Sequence, residues 1–160
     1  MRNLIKTLVL MLMLSFSHAA IAGDYEDGVV AYGKGDFATA LRLLTPLAEQ
    51  GLARAELYLG LMYAKGDGVT QDHKTAVKWY TLSAEQGNAS AQYSLGIMYD
   101  VGRGVEQDYV KSHMWSNIAA IDLKTSSWRD GLAEIMTSTQ IEKAQEAASR
   151  CIKQNFKNCD

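Results

Sequence analysis

Residues 55–72, AELYLGLMYAKGDGVTQD, and residues 91–108, AQYSLGIMYDVGRGVEQD, carry the same residue at ten of their eighteen positions when laid over each other at a shift of 36. Extending the overlay to residues 84 and 120 adds Trp79/Trp115 and Ala84/Ala120, twelve identities in thirty. The same shift pairs Ala40, Ala48, Glu49, Gln50, Gly51 and Ala53 with Ala76, Ala84, Glu85, Gln86, Gly87 and Ala89, so an earlier, degenerate unit precedes the two clear ones. A fixed period of this length is the mark of stacked supersecondary units, none of which can bury its apolar face alone.

Each unit reads as a helical hairpin. Ala55, Leu59, Met62 and Tyr63 stand at i, i+4, i+7 and i+8, which places them on one helical face. Gly66 (Gly102 in the next unit) ends that helix, and Gly68-Val69 (Gly104-Val105) turns the chain. Asp72 and Asp108 are placed to cap the helices that follow, and Asn88 is placed to cap the third unit's first helix. No stretch alternates with period two, so no sheet is expected. Gly60 and Gly96 sit inside first helices, where glycine costs about 1 kcal/mol relative to alanine. Close helix packing would offset that cost, with the small Ala76 or Ser112 opposite and the indole of Trp79 or Trp115 filling the adjacent space. Met62, Tyr63, Met98 and Tyr99 recur in register and are expected as core between hairpins.

The pattern A-x3-LG-x-MY-x2-G-x-GV-x2-D-x6-W resembles the Sel-one-like repeat, a relative of the tetratricopeptide repeat. The match spans residues 24 to 124 and is specific for the two central units. The resemblance implies a right-handed all-α solenoid of three hairpins, about 24–51, 52–87 and 88–124. It also implies the role of secreted bacterial members, which serve as adaptors in envelope assembly, signalling or host contact. The first unit departs from the pattern: Gly28 to Ala40 is 12 residues where Gly60 to Ala76 is 16, so its loop is four residues shorter and G-x-GV is missing. The third has Ser112 for alanine and Leu123 where the helix-ending glycine stands in the second.

The two ends lie outside the period. Arg2 and Lys6 precede an apolar run from Leu8 to Leu14, then Ala20-Ile21-Ala22, which reads as a secretory signal (residues 1–22) cleaved near Ala22. The run is shorter than the roughly 20 apolar residues a bilayer span needs; a lone membrane anchor is the alternative. Cleavage would leave 138 of 160 residues and take the net charge from −2 to −4. A mildly acidic chain gives no support to a nucleic-acid partner. The expectation is a periplasmic or secreted protein with no membrane insertion once the signal is removed. At the other end, residues 125–160 read as a helical cap. A short helix runs from Ser127 or Trp128 to Met136. A capping box at Thr137-Ser138-Thr139-Gln140 then opens a helix whose apolar stripe is Ile141, Ala144, Ala148 and Cys151/Ile152. Cys151 and Cys159, the only cysteines, read as a disulfide pinning the tail to that helix.

Signals for chemistry are sparse. His73 and His113 have no ligand-like partners at recurring spacing, so packing duty is expected and neither a metal nor a cofactor is. The G-x-G segments follow helices and lack the third glycine, so they are turns. No G-x4-GK-[ST], G-x-S-x-G or S-x-x-K occurs. Some cysteine-rich members of the resembled family are associated with β-lactam binding or hydrolysis, but this chain lacks the cysteine pair they carry in most repeats. A hydrolase acting on β-lactams or peptidoglycan is therefore one alternative, and a structural subunit of an envelope complex is another. A binding surface should vary between repeats while facing one way. Leu57, Leu61, Ala64 and Lys65 in the second unit, matched by Tyr93, Ile97, Asp100 and Val101 in the third, form such a set on the expected concave face, mixed in polarity as a protein or peptide groove is.

Overall fold

The structure, a computed structural model, describes residues 23–124 and 126–159. Residues 1–22, read from the sequence as a secretory signal, lie outside them. Eight helices follow one another among the described residues, without a strand: α1 (residues 23–33), α2 (Phe37–Glu49), α3 (Ala53–Lys65), α4 (His73–Ala84), α5 (Ala89–Val101), α6 (Tyr109–Leu123), α7 (Ser127–Ile135) and α8 (Ser138–Lys153). Each of α2 to α6 packs on the helix before and after it, and α7 and α8 both close onto α6. The chain is an all-α solenoid of three hairpins with a helical cap.

The helix ends obey local chemistry. Asp36 accepts from the Thr39 amide, Asp72 from Lys74 and Thr75, Asn88 from Ala91, and Asp108 from Lys111. These side chains satisfy amides that the first turn of a helix leaves without partners. Gln71 and Gln107, another pair in register, clamp the far ends of α3 and α5: Gln71 Nε2 donates to the Ala64 carbonyl at 2.8 Å and Gln107 Nε2 to the Asp100 carbonyl at 2.6 Å. Three residues link α1 to α2 where seven link α3 to α4, the shortening read from the sequence. With Leu123 in place of glycine, α6 runs on through that residue and stops at Lys124, which takes the left-handed conformation (φ 51°).

Two continuous cores run along the stack. Ala31, Ala40, Leu44, Ala55, Leu59 and Met62 join the first two hairpins, and Ala76, Tyr80, Leu95, Met98, Met114, Trp115 and Cys151 join the second, the third and the cap. The expected partner of Gly60 needs correcting: the side chain facing it is Tyr80, not Trp79. Trp79 is half-buried against the first core, while Trp115, at 1% exposure, is wholly inside the second. Trp115 shares its core with Ala148 and Cys151 of the cap, which Trp79 does not reach. Tyr80 is replaced by Ser116 in the third unit, so α6 approaches Gly96 through its own backbone, with the Ser112 carbonyl oxygen nearest. Tyr63 and Tyr99 are only half-buried at the core's edge.

In the cap, Thr137 and Gln140 form the capping box, and Ala144, Ala148 and Cys151 turn inward from α8, whereas Ile152 is 38% exposed. The Cys151–Cys159 disulfide is formed, with the Cα atoms 4.9 Å apart. Within the loop it closes, the tail reaches back to the second hairpin. Phe156 lies against Gly87 and Lys157 Nζ sits 3.8 Å from Glu85 Oε2. A crosslink closing so short a loop contributes about 2 to 3 kcal/mol on chain-entropy grounds. Cys159→Ser should therefore speed amide exchange in residues 154–159 and leave the repeats' exchange unchanged. Exchange followed by mass spectrometry checks this, and loss of protection in α3 to α6 would show that the tail holds up the stack.

Candidate functional site

Period-36 neighbours on α3 and α5 flank a groove with a cavity volume of about 330 Å³. Five of the eight residues expected on the binding face line it: Leu61, Ala64 and Lys65 from α3, and Ile97 and Val101 from α5. Tyr80 of α4 forms the floor, 3% exposed, with its hydroxyl hydrogen-bonded to Ser94; burial pushes that phenol up to about 12, so it stays neutral. Ser94 Oγ in turn donates to the Ser90 carbonyl at 2.9 Å, fixing the far wall. Val101 is 47% exposed, an apolar side chain left uncovered at the groove's edge.

The other three expected residues are placed elsewhere. Leu57 packs against the second core. Tyr93 meets Trp128 of α7 edge to face, with ring centroids 5.0 Å apart, so the cap covers it. Asp100 lies beside the groove and not in its lining, and burial raises its carboxyl above the ordinary range.

Sequence reasoning missed five lining residues, the Tyr80 floor, Met98, His73, Arg103 and Ser94, and one cluster. His73, Arg103 and Ser94 complete the groove, and the buried Nδ1 of His73 has no hydrogen-bond partner. Beside Lys65, the Tyr32 hydroxyl donates to Asp67 Oδ2 at 3.0 Å, and Lys65 Nζ donates to the Tyr32 oxygen at 3.1 Å. That contact with Tyr32 raises the Lys65 ammonium above its usual range. Tyr32 belongs to an aromatic cluster with Phe37 and Tyr58, centroids 5.7 and 5.4 Å away, and Tyr25 adds to it at 6.3 Å from Tyr58. A signal for these was present: aligning Gly28 with Gly60 sets Tyr25, Val29 and Tyr32 on the positions of Leu57, Leu61 and Ala64.

Away from the groove, His113 is 2% exposed under the cap. Burial holds its imidazole below the ordinary range, Arg129 adds to that effect and Asp130 opposes it; Asn117 Nδ2 lies 3.1 Å from Nδ1, which suits the neutral ring. A neutral, packed histidine is a structural element of the α6–α7 contact. Glu56, 3% exposed, accepts from Gln86 Nε2 at 2.8 Å and its carboxyl is raised by burial. Among the described residues no group of three His, Cys, Asp or Glu side chains could hold a metal ion, and no helix is long and apolar enough to cross a membrane.

Comparison with known proteins agrees with this architecture. The chain is similar in structure to c5321, a protective antigen present in uropathogenic Escherichia coli strains and displaying an SLR fold. The two share 26% identity with a TM-score of 0.80, over 87% of this chain and 31% of that one. A Sel1 repeat protein from Oxalobacter formigenes matches at 33% identity and a TM-score of 0.57, over 61% of this chain and 40% of that one. The chain thus spans less than half the length of either. No curated protein matches it. The Sel1 repeat family matches residues 17–52, 53–88 and 89–121, and with three such units along its length the chain belongs to that family.

Proposed function

We propose that this chain is an exported adaptor that binds a protein or peptide segment in the groove between α3 and α5. The observation that carries the reading is the contrast between framework and groove. The framework positions Gly60/Gly96, Gly66/Gly102, Gly68/Gly104 and Asp72/Asp108 are identical in the two units, while the lining differs, Leu61 against Ile97 and Lys65 against Val101. Identical framework with a varying lining is what a stack needs if it is to present one preformed surface to an irregular ligand. The mechanism is shape and desolvation without turnover: a buried neutral phenol as floor, apolar walls, and polar groups at the rim to set register. The apolar run ahead of residue 23, the disulfide and the similarity to a protective antigen support an extracytoplasmic location.

Capture from a periplasmic extract by the immobilised protein tests the reading, with Ile97→Arg as the blocked control. Ile97 is half-buried in the wall, so arginine there fills the groove and sets a charge against any apolar ligand. Partners held by the parent should be lost from the variant at unchanged melting temperature. Retention of every partner would place the binding surface elsewhere on the stack.

A further inference from the structure

The groove is cationic on a chain that is not. Asp and Glu outnumber Lys and Arg, 18 to 16, yet the lining contains Lys65 and Arg103 and no carboxylate. Arg103 breaks the repeat: its equivalent in the second unit is Asp67, so the loop after α5 reverses the charge of the loop after α3. The Arg103 guanidinium is exposed and has no anionic partner among the described residues. Lys65 is held in place from behind, because its ammonium donates to the Tyr32 oxygen while Tyr32 donates to Asp67. An anchored ammonium loses less side-chain entropy when it meets an anion than a free one does.

Between these polar groups lie Leu61, Ile97 and Val101 over the Tyr80 floor. We infer that the occupant is an acidic, apolar peptide segment: a large apolar side chain seats against Leu61, Ile97 and Val101, and a carboxylate next to it in sequence meets Lys65 and Arg103. Charge complementarity selects this class over basic or neutral segments, since a basic peptide would face Lys65 and Arg103, while the neighbouring carboxylates stand back from the lining, Asp67 engaged by the Tyr32 hydroxyl and Asp100 beside the groove. This inference rests on the groove being the binding surface.

Selection of a phage-displayed random peptide library on the folded protein tests both levels separately, with three variants carried in parallel: Ile97→Arg, the double reversal Lys65→Glu with Arg103→Glu, and the milder Lys65→Gln with Arg103→Gln. Peptides enriched on the parent should be net acidic around an aromatic or long aliphatic residue, and should not be enriched on Ile97→Arg. Measured by fluorescence polarisation, a synthetic peptide from that set should bind about tenfold or more weakly to the glutamine pair, and weaken further as salt is raised. The double reversal should select basic peptides instead. Neutral or basic peptides on the parent, lost with Ile97→Arg, would overturn the acidic partner and leave the groove standing. Enrichment that survives Ile97→Arg, or none on the parent, would overturn the groove and the inference with it.

Discussion

Gly104→Ala is expected to lower the melting temperature by about 10 °C, the consequence of roughly 3 kcal/mol in a domain of this size. Two costs add. Gly104 has φ +77°, a left-handed conformation that costs an L-residue about 1 to 2 kcal/mol. A Cβ there would also fall on the His73 carbonyl, 2.5 Å from its carbon and 2.9 Å from the Lys74 nitrogen. Both atoms belong to the start of α4, and backbone held in a capped helix cannot swing aside as a side chain can, so overpacking adds about 1 to 3 kcal/mol. The equivalent Gly68 meets the start of α2 in the same way, where an added methyl would lie 2.7 Å from Phe37 Cβ. The second glycine of G-x-GV is therefore where the loop of one unit lies on the second helix of the unit before it, and the substitution severs two hairpins from each other. Gly35→Ala is the control: φ is likewise +77°, but nothing lies within 4 Å, so only the conformational cost of about 1 to 2 kcal/mol applies. Thermal melts of both variants check the claim, and equal shifts would mean that the inter-repeat contact contributes nothing.

That inter-repeat contact also marks the boundary of what the sequence discloses. The period exposed both G-x-GV segments, the caps at Asp72 and Asp108, and the hairpin order, because each of these is a local signal repeated at a known distance. It left the cap helix and its disulfide to be found through helical spacing and cysteine count. Features that depend on one unit differing from another were hidden. Trp79 and Trp115 are the same letter at the same register with different burial: Trp115 lies in the core that Ala148 and Cys151 of α8 complete, while Trp79 borders the first core. Tyr93 belonged to the expected face by register, yet α7, which has no counterpart in the repeat, brings Trp128 over it. The tail's return to Gly87 and Glu85 spans about seventy residues of chain and leaves no periodic trace. In the groove, the walls Leu61, Ile97 and Val101 stand on the expected face of the first helices and were legible, whereas Arg103 in the loop after α5 and His73 at the start of α4 lie off those helices and were not. A search built on repetition finds scaffold first and ligand contacts last.

Gly60→Val should destabilise the chain by about 3 kcal/mol or more and disrupt the groove, while the same change at Gly96 should leave the groove's floor in place. A Cβ placed on Gly60 would lie 2.5 Å from both Tyr80 Cδ1 and Cε1. Tyr80 is 3% exposed and tied through its hydroxyl to Ser94 of α5, so its ring cannot turn away without breaking that bond and opening the floor between α3 and α5. Valine adds two branches to an atom that already does not fit. At Gly96 the nearest atoms are the Ser112 oxygen at 3.3 Å and Trp115 Cβ at 3.5 Å. Alanine there is tight but gains about 1 kcal/mol of helix propensity, so Gly96→Ala should be close to neutral while Gly60→Ala costs about 1 to 3 kcal/mol. A double-mutant cycle isolates the cause. Tyr80→Ser installs the residue that stands at position 116 in the third unit. It is costly by itself because it removes a buried ring, but in that background Gly60→Ala should lose most of its penalty, a coupling of about 1 to 3 kcal/mol between positions in direct contact. Denaturant unfolding of the four proteins measures it. Additive effects would mean that the glycine is retained for some reason other than the Tyr80 ring, and that the two units did not reach close packing by different residues.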